Sequence, residues 1–233
     1  MRRRFSSIPV LVLVLGTCCE PQAVSELDTV SPSTTSITLP PPATDGKTSL
    51  EKAIYERRSV RSFADSPLTL AQISQLAWAA QGVTDKASGF RTVPSAGALF
   101  PLEAYLVVGQ VDGLEPGMYR YIPKDHALRL ITKGDQRAAL CSGALDQAAI
   151  REAPVSFVIA GIYSRTAGKY GLRAERFVHM EAGHVGQNLA LQAVALGLGS
   201  VCIGGYDDSE VRRALMLPDE EVPLYIIPIG RKK

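Results

Sequence analysis

Pro94-Ser95-Ala96-Gly97-Ala98-Leu99-Phe100-Pro101 is a block of small residues closed at both ends by proline, and it opens directly onto the apolar run Leu102 to Val108. Small side chains let backbone amides approach a flat ligand, and the prolines stiffen the segment. Taken alone, the block is either a tight connection or a ligand-facing loop. The run after it reads as a strand. Further strands are expected at Met118 to Ile122 and Ala127 to Ile131, joined as a hairpin through Pro123-Lys124-Asp125, then at Val155 to Ile162 and Leu224 to Ile229. Between them the periodicity turns helical. Thr48-Ser49-Leu50-Glu51 and Thr69-Leu70-Ala71-Gln72 both have the form of a capping box. The first predicts a helix to about Arg58; the second predicts one that carries Ile73, Leu76, Ala77 and Ala80 on one face and stops at Gly82. Two short helices are expected over Gln136 to Cys141 and Ala144 to Arg151, and a long one from Ala174 to Leu198. Strands and helices alternate too irregularly for a doubly wound parallel sheet, so the expectation is an α+β layered domain over residues 48–233.

Outside the block, two patterns carry chemistry. Arg57-Arg58-Ser59-Val60-Arg61 gathers three permanent cations and a hydroxyl at the end of the first helix. Guanidinium groups match phosphate oxygens bidentately, but basic residues also suit a helix C-terminus for reasons of dipole and capping alone. Both readings stand at this point. In the long helix, Glu181, His184, Asn188 and Gln192 fall at spacings of three and four and share one face, while Leu189 to Leu198 is apolar almost all round. The polar row is either a solvent-facing stripe or a buried one turned toward a ligand or a partner's helix. His179 and His184, five apart, do not share a face as metal ligands would, so no metal site is expected.

A formal net charge of +2, part of it from Arg2-Arg3-Arg4, does not mark a nucleic-acid partner. Those arginines, the apolar run Ile8 to Gly16 and Thr17-Cys18-Cys19 read as an export signal over residues 1–19, too short to span a bilayer. Leu15-Gly16-Thr17-Cys18 resembles a bacterial lipobox apart from Thr17, and Arg2-Arg3-Arg4-Phe5 resembles a twin-arginine motif. The chain is therefore expected to be exported, periplasmic or anchored to a membrane through a lipidated Cys18. Residues 20–47 are rich in Ser, Thr and Pro and read as a linker. Cys141 and Cys202 remain for the domain, either paired or, as expected, two buried free thiols.

Five pieces in order complete the pattern: Arg57 to Phe63; the Pro94 block continuing into Leu102-Glu103-Ala104-Tyr105; Lys169-Tyr170-Gly171; Glu181-Ala182-Gly183-His184 to Gly199; and Ile229-Gly230-Arg231. In that order they resemble the FMN-dependent nitroreductase superfamily, and within it the SagB/ThcOx-type dehydrogenase branch, over about Leu50 to Arg231. The resemblance implies a nitroreductase-like fold, with a mixed or antiparallel sheet, flanking helices and a long central helix, in an interlocked homodimer that holds FMN at its interface. It places Arg57, Ser59 and Arg231 on the FMN phosphate and Arg61 at the pyrimidine edge of the ring, where a cation stabilises reduced flavin. Pro94, Ser95 and Gly97 would line the ring, and the backbone at Gly204 would lie near N5. Lys169 and Tyr170 would be catalytic. Such dehydrogenases oxidise azolines in peptides: hydride leaves carbon for the flavin while a base takes the adjacent proton. A lysine serves as that base when burial or a cation lowers its pKa, a part that Arg165 or Arg173 would play. Three other readings stay open: an exposed lysine beside a merely packed tyrosine, an NAD(P)H-dependent nitro- or quinone reductase, and a flavin-binding lipoprotein without turnover. Export would favour substrate oxidation, because NAD(P)H is not supplied outside the cytoplasm.

Overall fold

Residues 36–233 are described by the structure, a computed structural model. The expected signal segment, with Cys18 and Cys19, lies outside the described residues. At the centre are β2 (Leu102–Val108) and β5 (Val155–Gly161), buried along their whole length and paired antiparallel, with Leu102 opposite Gly161 and Val108 opposite Val155. Around them stand β1 (Ser36–Thr38), β3 (Gly117–Ile122), β4 (Ala127–Lys133), β6 (Gly199–Ser200) and β7 (Val222–Gly230). Together they form a seven-stranded sheet in the order β1-β4-β3-β2-β5-β7-β6, antiparallel at every step.

Continuous apolar runs in β2 and β5 arise because both faces of the sheet are covered. Leu106 and its even-numbered neighbours meet a core shared with α2 (Leu70–Gln81) and α6 (Ala174–Ala195). Tyr105 and Val107 meet a second core, built with α3 (Arg137–Gly143), α4 (Ala148–Glu152) and α7 (Asp208–Ala214). Each large side chain sealed there contributes about 1.5–3 kcal/mol of transfer free energy.

The Thr69–Gln72 capping box is present in both directions and α2 ends at Gly82. In α1 (Leu50–Glu56) the cap is Ser49, whose side chain accepts from the Lys52 amide, so the helix starts one residue later than the Thr48 capping box predicts; it also stops short, at Arg57. Two helices had no sequence signal strong enough to predict them. These are α5 (Tyr163–Tyr170), which has no side-chain cap and one buried residue, and α7, capped by Asp207.

The linker expectation fails from Ser36 onward. Strand β1 pairs with β4, Ser36 opposite Arg129 and Thr38 opposite Ala127. Leu39 is buried in the core and its amide donates to the His126 carbonyl at 3.0 Å. The His126 ring then ties the strap down: Nε2 lies 2.8 Å from the Ser74 hydroxyl and 2.9 Å from the Pro40 carbonyl, and Nδ1 lies 2.8 Å from the Tyr121 hydroxyl. Gln75 exchanges bonds with both backbone groups of Ala43. The Ser/Thr/Pro composition masked a short polar-apolar alternation, Ser36-Ile37-Thr38-Leu39, with Ile37 and Leu39 turned inward.

The polar row on α6 is tied in part to its own chain, although His184 is exposed. Asn188 donates to the Ala79 and Thr92 carbonyls at 3.1 and 3.3 Å, and Gln192 accepts from Gln75 at 3.2 Å, so these two link α6 to α2 and to Thr92 beyond it. Leu191, Val194 and Leu196 are only half-buried, and Ala195 is exposed. On α1, Leu50, Ile54 and Tyr55 stand 60, 53 and 78 % exposed. Cys141 and Cys202 are both free, but Cys202 is exposed, not buried.

Candidate active site

Between Ser95 and Pro101 the chain takes three left-handed conformations, with φ of 63° at Gly97, 55° at Ala98 and 46° at Phe100. Glycine accepts this freely, whereas each of the other two stores about 1–2 kcal/mol, so the surroundings must hold the turn. They do so at both ends. The Ala96 amide donates to Glu181 Oε1 at 2.8 Å, and the Phe100 amide donates to the Ser95 hydroxyl at 2.9 Å. Arg165 donates to the Phe100 carbonyl at 3.1 Å, and the Arg91 guanidinium lies 4.4 Å from the Phe100 ring centre. Arg165 is itself fixed by Glu103 at 2.6 Å, an acid shared with Arg120 at 2.8 Å.

Opposite the turn stands the last turn of α5. A Cβ placed on Gly97 would lie 2.8 Å from Lys169 Nζ and 3.0 Å from the Tyr170 hydroxyl. The structure thus brings Gly97 together with Lys169 and Tyr170, the last two residues of α5. Lys169 is exposed, with its ammonium 5.6 Å from the Tyr170 ring centre, and Tyr170 packs edge-on against Phe177 at 4.9 Å. Arg165, expected to act on Lys169, is instead turned to Glu103 and Phe100. Burial holds the Glu181 carboxyl above the ordinary carboxylate range, against the opposing pull of the Ala96 amide, the Ser95 hydroxyl and His184.

A second group forms where the chain leaves α1. Ser59 bridges Ser200, and the Val60 amide donates to the Ser200 carbonyl at 2.9 Å. Further on, Phe63 bridges Lys232 and the Ala64 amide donates to the Arg231 carbonyl at 2.9 Å. This stitching sets Arg57, Ser59 and Arg61 beside the 200–204 segment and Arg231. Arg58 is spent on its own helix end, donating to the Tyr55 and Arg57 carbonyls at 3.0 and 2.7 Å. Among the described residues, none of Arg57, Arg61 and Arg231 is paired with a carboxylate. Guanidinium groups with no carboxylate partner and a serine hydroxyl are the donor types that bind a phosphate ester. Two residues here escaped sequence reading. Cys202, whose thiol is pushed up by burial and pulled back by Arg57, has its Sγ 3.2 Å from where a Gly186 Cβ would stand; Tyr225 lies 3.4 Å from that same point and 3.6 Å from the corresponding point at Gly204.

Helix α6 touches both groups, Glu181 in the first and Gly186 in the second. Five residues of helix separate these points by about 7.5 Å along the axis and roughly 140° around it. One chain therefore presents two half-sites on different sides of α6: Ser95, Gly97, Lys169 and Tyr170 in one, and Arg57, Ser59, Arg61, Gly204 and Arg231 in the other, with exposed Pro94 at the border of the first. Among the described residues, no group of three or more His, Cys, Asp or Glu is placed to hold a metal.

The nitroreductase family profile matches residues 54–231. A Methanocaldococcus jannaschii protein named as a nitroreductase is 48% identical over 78% of this chain and 91% of its own length. The microcin B17-processing protein McbC of Escherichia coli is 28% identical over 71% of this chain, which spans 63% of that relative. A crystal structure named as a nitroreductase of Ralstonia eutropha superposes with a TM-score of 0.75 at 31% identity, over 85% of this chain and 90% of that one.

Proposed function

The chain belongs to the nitroreductase family and is an oxidoreductase, and from that premise we propose that it is an FMN-dependent, SagB-type dehydrogenase acting as a homodimer on a small-molecule or modified-peptide substrate. The observation that carries this reading is the seating of Gly97 on Lys169 Nζ and the Tyr170 hydroxyl. That contact joins the loop which would line the flavin to the pair which would handle the substrate proton.

In this reading Arg57, Ser59 and Arg231 bind the phosphate through charge-assisted hydrogen bonds, and Arg61 neutralises the pyrimidine edge. Pro94, Ser95 and Gly97 would lay backbone against the ring, with the backbone at Gly204 near N5. When bound, the flavin supplies a hydride acceptor at N5. Lys169 Nζ, exposed in the single chain, would be covered once flavin and a second copy close over it, and would there receive the proton from the substrate atom adjacent to the one that loses hydride. The Tyr170 hydroxyl stands beside Nζ and orients it, and Phe177 fixes the Tyr170 ring.

A homodimer is supported by the division of the site. Two half-sites on different sides of α6 become whole when a second copy presents the complementary half. The exposed apolar residues of α1 and the half-buried end of α6 supply a face for it to cover.

The test uses the full chain. Purified protein is expected to carry flavin absorbance or to gain it on adding FMN, R57A/S59A to lose it, and K169A and Y170F to keep it while losing about 100-fold or more in turnover. Failure of every form to bind flavin overturns the reading. A second reading, NAD(P)H-dependent reduction of nitro compounds or quinones, draws on the name of the archaeal relative. Anaerobic bleaching of bound flavin by NADPH supports it; bleaching by a thiazoline peptide and not by NADPH supports the dehydrogenase. Export and anchoring through Cys18 belong to the same proposal, and C18A is expected to release the chain from the membrane fraction.

A further inference from the structure

Glu181 is an acid sealed inside the molecule, 4% exposed, with no cation in ion-pair contact among the described residues. A buried carboxylate without such a partner is costly unless hydrogen bonds satisfy it. The Pro94 loop supplies one: the Ala96 amide donates to Glu181 Oε1 at 2.8 Å. His184, the next residue of the polar row, is the nearby titratable group on α6.

One turn before Glu181 on the same face of α6 stands Phe177. Its ring packs edge-on against Tyr170 at 4.9 Å. The two residues therefore grip the two sides of one contact. Phe177 holds the tyrosine, and Glu181 holds the turn whose Gly97 the tyrosine and Lys169 meet. A rigid helix sets the distance between them, much as a jig holds two workpieces.

We infer that Glu181 is a positioning residue: by accepting the Ala96 amide, and with Phe177 one turn away, it locks the left-handed turn that seats Gly97 against Lys169 Nζ and the Tyr170 hydroxyl. The use of that geometry in hydride chemistry rests on the function proposed above; the mechanical claim about the turn does not. Without the carboxylate oxygen the Ala96 amide has no partner, and only the contacts of Ala98 and Phe100 with Ser95, Arg91 and Arg165 remain to hold a backbone conformation that costs free energy. The far end of the loop stays anchored by Arg91 and Arg165, so the loosening is confined to Ser95 through Phe100.

Amide hydrogen exchange on the full chain tests this, with FMN as the added probe and visible circular dichroism as the report on the ring. E181A is expected to speed exchange at Ala96, Ala98 and Phe100 by about tenfold or more while the amides of Val178 to Ala182 stay as in the wild type. E181Q, whose side-chain oxygen accepts the same bond, is expected to remain within about threefold of wild type in exchange and to keep its dichroic spectrum. E181A should change that spectrum while weakening FMN binding by less than about threefold, because the phosphate half-site lies on another side of α6. Unchanged exchange in E181A overturns the inference, as does E181Q as loose as E181A. Should E181A fail to fold, E181D decides: exchange at Ala96 faster by about tenfold, because the shorter side chain no longer reaches the amide, supports the inference, and exchange equal to wild type overturns it. If no form binds FMN, the flavin reading falls and the exchange measurements alone judge Glu181.

Discussion

At Gly97 one added methyl group would stand 2.8 Å from Lys169 Nζ and 3.0 Å from the Tyr170 hydroxyl, on a backbone with φ of 63°. Both are tips of flexible side chains, so G97A folds with the pair pushed aside. It is expected to lose about 1–2 kcal/mol through left-handed strain, which calorimetry reads at about 2–4 °C per kcal/mol for a chain of this size, and about tenfold or more in turnover. Unaltered turnover would remove the contact from the mechanism. Glu181 gives a prediction in pH. Its carboxyl is raised by burial, so the folded state prefers the proton; the stability it contributes is full below the ordinary 4.5 and is lost as pH rises through the folded value. E181Q cannot ionise, so in urea titrations it should equal or exceed the wild type at neutral pH, with a flatter profile above 4.5. A variant less stable than wild type at pH 8 but not at pH 4 contradicts that sign. Lys169, Tyr170 and Gly97 were legible from the resemblance, and Glu181 only as a member of a stripe, since spacing names a face without saying what lies against it.

The strap from Ser36 to Ala43 is an element in the same sense as a helix, with its own lock. Burial lowers the His126 pKa, although its bond to the Pro40 carbonyl opposes this, so the ring is neutral when the strap is docked beside Ser74 and Tyr121. The stability this adds is full above the ordinary value of 6.5 and declines as pH falls below it. Trp78, the one tryptophan, lines a cavity of about 880 Å³ that the strap also borders, through Pro41 and Ala43. Its fluorescence should change on acidification from pH 7 to pH 5 and recover on return; H126F should abolish the step, and a step that persists in H126F assigns it elsewhere. Elements with strong local codes were legible: α2 from its capping box, β2 and β5 from long apolar runs. The strap was hidden by the composition around it. Helix α5 was hidden because its one buried residue, Thr166, gives no periodic stripe.

For the whole molecule, the division of the site makes a complementation experiment decisive. R57A/S59A disables one half-site and K169A/Y170F the other. If each site is built from two chains, unfolding and refolding an equal mixture of the two inactive variants yields heterodimers with one intact site, and activity returns to about a quarter of wild type. No recovery would mean that each chain holds its whole site. The layered α+β class was legible because it follows from alternation of apolar runs and helical stripes; the arrangement of half-sites around α6 was not, because it depends on which strand lies beside which. The sheet's borders carry one last consequence. It ends in β1, three residues long, on one side and β6, two residues long, on the other. Strands so short offer a neighbouring molecule almost no backbone to pair with. A chain begun at Thr48 would uncover Ala127, Leu128 and Arg129, the three β4 residues that β1 pairs with, and so lengthen an edge on which Ile131 is already exposed. Light scattering should then report more edge-to-edge aggregation than the full chain shows, which makes the strap a guard on that end of the sheet.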